Sequence, residues 1–296
     1  MIDLAALGSL RAVDTHGSVV AAAEALGFTP SAISQQVKRL ERQTGVPLLE
    51  RVGRGVMLTR PGRHLVDAGS RLLADLEAIE SDLHQQAGTV SGHLRLTAFS
   101  TAMRGLVAPR VRDLRAVHPH LVLSLTEREP WDTVGLVASG QAEVGVVHSW
   151  GDVVLEVPDH LATTALADDV ADVVVHAAHP LAARERVTPH DLVDEGWIAT
   201  PEGTICRQWL IRMYAGTGRL PRIEHTAMEF ASHLALVSAG LGIALVPQLG
   251  RGPLPDGLTT VRVHDPVPSR EAIVLWRRSQ GRSPAVRALV ERLGAG

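Results

Sequence analysis

The chain has 296 residues, 45% of them apolar, a formal net charge of −3 and a single cysteine. That length and apolar content exclude a disordered chain and allow two or three domains with separate cores, while the lone Cys206 excludes an intramolecular disulfide or a two-thiol switch within one chain. No run reaches the roughly eighteen apolar residues of a membrane helix and no basic stretch leads into an apolar one at the N-terminus, so the expectation is a cytoplasmic protein. Lys38 is the one lysine among 29 basic residues, which points to a GC-rich coding bias.

Residues 18 to 44 carry the strongest signal. Ser18 is placed to cap an Ala-rich helix over Val19 to Leu26, and Gly27 to end it. Thr29 is placed to cap a second helix with Pro30 at its first position, where a missing N–H costs nothing. Ile33, Val37 and Leu40 form its apolar stripe. The polar stripe holds Ser31, Ser34, Gln35, Lys38 and Arg42, joined by Arg39: short hydroxyls and an amide for base edges, cations for phosphates. Two short helices around a tight glycine turn present one helix to a DNA groove. Pro47 to Arg51 and Arg54 to Thr59 then read as a two-stranded wing, with Arg51 and Arg54 suited to phosphates or a minor groove.

The run from Ala12 to Leu65, with TPSAISQQVKRLE, LLER, and GVMLT followed by PG, resembles the winged helix-turn-helix of LysR-type transcriptional regulators. The family usually has an aromatic residue where this chain has Leu49, a packing substitution. The resemblance implies a DNA-binding domain over 1–60, a linker helix and hinge over 61–90, and a two-lobed effector domain over 91–296 with the fold of periplasmic binding proteins. It further implies promoter DNA and a small molecule as partners, with RNA polymerase as a third, and no cofactor.

Charge is divided by region. Residues 1–65 hold eight Lys/Arg against five acids, a head of +3 on a body of −6 that orients approach to DNA. From Pro61 to Gln86 one long helix is predicted in which Leu65, Leu72 and Ile79 recur every seven residues, interleaved with Gly69, Leu76 and Leu83. A second copy of the same helix is the expected partner of this seam, giving a homodimer, and the resemblance adds assembly to a homotetramer. Gly88 to Gly92 reads as a hinge.

From His93 onward short apolar strands alternate with helices, as in an α/β sheet covered on both faces. Leu136–Gly140 before Val144–Val147 is echoed one hundred residues later by Leu236–Gly240 before Ile243–Val246, so two similar lobes are expected: 91–165 with 268–296, and 166–267. AEVGVV, HPLA and AGLGIALVP fit the effector domain of the same family. Ligands of open α/β sheets bind beyond strand C-termini, near helix N-termini. The positions meeting that description are Ser100, Thr101, Glu127, Trp131, His148, Thr200, Thr204, Met228 and Phe230. A small anion is the expected ligand, with Ser100 and Thr200 as its principal hydrogen-bond donors. His118, His120, His176 and His179 lack metal-site spacing, and no nucleophile elbow, phosphate loop or paired acid motif occurs. The competing reading is a solute-binding or enzymatic α/β protein with an accessory helix-turn-helix.

Overall fold

A computed structural model of the chain describes residues 2–53, 55–87, 90–151, 153 and 155–295, the side chains at 84 and 87 excepted. The head begins with α1 (Leu4–His16), α2 (Val19–Leu26) and α3 (Pro30–Thr44). Local chemistry sets their ends. Ser18 Oγ accepts from Ala21 N–H at 3.0 Å, Thr29 Oγ1 from Ala32 N–H at 3.2 Å, and Gly27 closes α2 with φ +68°. Ile33, Val37 and Leu40 are buried as the stripe requires. The wing is an antiparallel pair, β1 (Leu49–Val52) and β2 (Gly55–Leu58), with Leu49 opposite Leu58 and packed against both apolar clusters of the head. Leu49 therefore fills the position that an aromatic ring would take.

Helix α4 (Arg60–Ala87) starts inside the head core, where Val66 is buried and Leu65 packs partly buried beside Leu10, Leu40 and Leu58. Leu65 is thus drawn into the head, and the exposed seam begins at Leu72 and continues through Leu76, Ile79 and Leu83. Gly88 and Thr89 of the expected hinge lie outside the described residues.

In the body, β3 (Gly92–Ala98) leads into a continuous helical run: α5 (Ser100–Ala102), a π-turn (Met103–Val107) and α6 (Ala108–Val117). Then come β4 (Leu121–Glu127), α7 (Pro130–Ala138), β5 (Val144–Trp150) and the long β6 (Leu161–His176). The second lobe contains β7 (Arg186–Val187), β8 (Gly196–Ala199), α8 (Ile205–Met213), β9 (Arg222–Thr226), α9 (Phe230–Ser238), β10 (Ile243–Pro247) and β11 (Leu258–Val263). β12 (Ser269–Arg277) returns to the first lobe before α10 (Pro284–Gly294). The order is β4-β3-β5-β12-β6-β10-β8-β9, so each lobe repeats a parallel trio, β4-β3-β5 and β9-β8-β10.

The sheet changes partners in mid-strand. β6 pairs with β12 up to Val170 and with β10 and β11 from Ala171 and Asp172 onward, five residues beyond the crossing expected after 165. No turn residue interrupts β6, so nothing local marks the change. A cluster of buried side chains runs through both lobes from Val137 and Trp150 to Trp197, Trp209 and Tyr214. Backbone meets backbone where a Cβ on Gly105 would lie 2.6 Å from Gly250 N, and Arg104 Nε donates to Gly250 O at 3.2 Å. Only glycine on both sides permits that approach, because Gly250 also has φ +67°.

Candidate DNA-reading face and inter-lobe cleft

The outer face of α3 is exposed at Thr29, Pro30, Ser31, Gln35, Lys38, Arg39 and Arg42, with Ser34 half-buried. Arg39 is turned back to Asp3 at 2.9 Å, and the N–H of Ala6 together with Arg39 holds the Asp3 carboxyl below its ordinary value. Among the described residues Lys38, Arg42 and Arg51 have no carboxylate partner, so their charges remain open to phosphates. Arg54, the other wing arginine, lies outside the described residues.

Where the lobes meet, a narrow cleft of about 310 Å³, its open mouth counted, is lined by Phe99, Ser100, Thr101, Glu129, His148, Thr200, Thr204, Cys206, Met228, Phe230 and Arg270. Seven of the nine expected effector positions are among them. Glu127 is exposed and its neighbour in sequence but one, Glu129, takes the place. Trp131 instead reaches over the cleft, its Nε1–H donating to Gly203 O of the other lobe at 3.3 Å.

Thr204 is spent as a cap. Its Oγ1 accepts from Arg207 N–H at 3.2 Å and lies within hydrogen-bond distance of Pro201 O at 2.9 Å and of Thr200 Oγ1 at 2.7 Å. Thr200 is therefore engaged by Thr204 within the lobe 2 wall, a contact that competes with the expected role as effector donor. The opposite wall differs. No side chain caps the helical run at Ser100, and no hydrogen bond engages its hydroxyl among the described residues, so first-turn N–H groups and the positive dipole end open on the cleft.

Arg270, which sequence reasoning missed, is the buried cation of the site at 2% exposure. Its Nη2 lies 2.7 Å from Asp169 Oδ2 and donates to Thr101 Oγ1 at 2.6 Å, and its guanidinium stands 4.9 Å from the Phe99 ring centre and 5.5 Å from that of Trp150. Asp169 Oδ1 accepts Leu249 N–H at 2.8 Å. One ion pair thus ties both crossing strands to the lobe 1 helix and the lobe 2 loop. The available signal was an arginine opening an apolar strand at the expected crossing near 268.

The remaining titratable groups respond to this environment. Burial, then the Arg270 charge, drives His148 well below its ordinary value, so its ring is neutral, wedged edge-on to Phe99 with Nδ1 unpartnered. Burial pushes the Cys206 thiol up to about 11, against the pull of Arg270. Burial and the carboxylates of Asp132 and Glu127 raise Glu129, with Arg270 opposing. His179 is used locally: Nδ1 accepts Leu181 N–H and Nε2 faces Glu195 at 3.3 Å.

A helix-turn-helix with open cations and a two-lobed α/β body have counterparts in known proteins. Residues 4–63 match the family described as bacterial regulatory helix-turn-helix protein, lysR family, and residues 87–296 match the LysR substrate binding domain. The chain belongs to the LysR family of transcriptional regulators. It is a DNA-binding regulator whose C-terminal domain binds a small-molecule effector, and its relatives are regulators, not enzymes. The hydrogen peroxide-inducible genes activator of Pectobacterium carotovorum is 27% identical over 274 residues, covering 90% of this chain and 88% of its own. A full-length OxyR variant from Pseudomonas aeruginosa has the same fold, with a TM-score of 0.71 at 22% identity over 100% of this regulator and 95% of that chain. The BenM effector-binding domain with its effector benzoate aligns at a TM-score of 0.60 and 23% identity, over 69% of this chain and 91% of its own. No helix among the described residues is long and apolar enough to cross a membrane.

Proposed function

We propose that this regulator answers a small anionic metabolite bound at the N-terminus of the helical run that starts at Ser100. The carrying observation is that uncapped first turn, opening into a cleft walled by both lobes. Free N–H groups and a positive dipole end favour anions. The benzoate bound by the BenM domain, itself a carboxylate, supports the reading. In the head, Ser34 and Gln35 read bases while Lys38, Arg42 and Arg51, with Arg54, meet phosphates. The stripe of Leu72, Leu76, Ile79 and Leu83 pairs two subunits, and pairs of dimers form the tetramer expected of the family. The effector binds two states of that assembly with different affinity, since equal affinity would shift nothing. RNA polymerase is the third partner, and the cytoplasm the place of action.

A response of this chain to hydrogen peroxide, which the Pectobacterium relative's name mentions, finds no support in the thiol. Cys206 is the one cysteine, so no intramolecular disulfide can form, and with its value near 11 the thiolate that oxidants attack is scarce. Sequencing the genomic DNA retained by the purified protein, with and without candidate carboxylates, tests the whole reading. With a responding carboxylate in hand, Ser100→Ala should weaken its binding by about 1–3 kcal/mol in calorimetry and leave operator affinity intact. Unchanged affinity would place the anion elsewhere.

A further inference from the structure

Two groups of opposite preference leave the sheet side by side at the cleft. β3 and β4 run parallel with Ala98 opposite Glu127, and Arg128 N–H donates to Ala98 O at 3.0 Å. Ser100 and Glu129 each lie two residues past that pair, just beyond the ends of adjacent strands spaced about 4.8 Å apart, and both line the cleft. Ser100 begins a run that stays right-handed helical through its joins at Ala102 and Val107 and reaches Val117, long enough to carry a dipole at its free end.

Glu129 is the complement. Its carboxylate accepts no hydrogen bond and forms no ion pair among the described residues, and the nearby cation, Arg270, is committed to Asp169 and Thr101. Burial and the neighbouring carboxylates raise it, as expected of an acid that lacks a counter-cation. His148, 2% exposed and neutral, adds an unpartnered ring nitrogen to the same lining. A simple carboxylate at Ser100 would face the charge of Glu129, and a simple amine at Glu129 would face the positive end of the helix. A ligand that satisfies both carries an anion and a cation a few ångströms apart.

We propose that the effector is zwitterionic, an α-amino acid or a derivative that keeps both charges, with its carboxylate on the first turn at Ser100 and its ammonium on Glu129. This rests on the anion reading of the same site. Met228 and Phe230 supply an apolar wall for the side chain.

The test is calorimetry on the full-length protein with each of the twenty L-amino acids, and with the N-acetyl, deaminated and decarboxylated analogues of each. At least one amino acid should bind, and its N-acetyl and deaminated analogues should bind tenfold or more weakly. Glu129→Gln should weaken the amino acid at least tenfold and leave the deaminated acid unchanged or tighter; Ser100→Ala should weaken both. Deaminated acids binding the native protein as tightly as amino acids would overturn the zwitterion and leave the anion reading standing. Decarboxylated amines binding as tightly as amino acids, or no member of the panel binding at all, would overturn both.

Discussion

Gln35 is exposed on the first half of α3, and its amide makes no hydrogen bond within the chain among the described residues, so its full donor and acceptor capacity faces outward. Lys38, one turn later, is equally open but offers only a point charge. The two should fail differently. Gln35→Ala should cost roughly 1–3 kcal/mol at one base pair per half-site and relax preference there, whereas Lys38→Ala should weaken operator and scrambled DNA alike and flatten the salt dependence. Competition binding on both DNAs at two salt concentrations checks this; an equal loss on scrambled DNA for Gln35→Ala would remove it from base reading. These side chains were legible from sequence because a helix fixes its own outer face. Arg270 was not: its partners Asp169 and Thr101 lie 101 and 169 residues away, and only the fold brings them together. The engagement of Thr200 by Thr204 was not legible for a related reason, since it depends on how the loop through Pro201 turns the two hydroxyls together.

At the scale of elements, the caps of α2 and α3 were legible because Ser18, Thr29 and Gly27 act within one helical turn of their own position. The echo of α7–β5 in α9–β10 was legible too, each helix closing at a glycine of positive φ, Gly140 at +80° and Gly240 at +74°. Helix α4 was half legible. Its period announced a stripe, but the head's own packing decided that Leu65 would be absorbed and that Leu72, 50% exposed, would begin the free part. Four exposed aliphatic residues in line on one helix call for a partner, and the face opposite is already engaged by the body. Leu72→Glu would set a carboxylate against its own copy across a pairing seam. Sedimentation should then show a lower mass together with loss of operator binding, while the melting temperature of the body stays within a degree or two of native. Unchanged mass would mean that this stripe joins no subunits.

At the scale of the molecule, β12 links the cleft to the linker. Arg270 stands near its start at the inter-lobe ion pair, and Arg277 ends it, 6% exposed, donating to Val137 O at 2.8 Å, Ala142 O at 2.7 Å and both oxygens of Glu77 on α4. Ser279 Oγ adds a 2.7 Å bond to Glu77, and Arg11 of the head reaches Ser139 O beside them. Head, linker and first lobe therefore meet around one carboxylate. Burial alone would raise Glu77, but the hydrogen bonds and charge of Arg277, with Ser279, outweigh it and hold the carboxyl below its ordinary value. An acid lowered in the folded state stabilises the fold above its unfolded value near 4.5, and that contribution is lost as pH falls through the folded value. Native protein should accordingly lose more stability between about pH 5 and pH 3 than Glu77→Gln, whose amide keeps an acceptor but no charge. Arg277→Met is the harsher change, since it strands Glu77 and two buried carbonyls, and should cost about 3–5 kcal/mol. Thermal melts of the three proteins across that pH range decide the matter. Parallel curves for native and Glu77→Gln would show that the carboxylate contributes no charge-dependent hold on the linker, and that shape alone fixes α4 to the body.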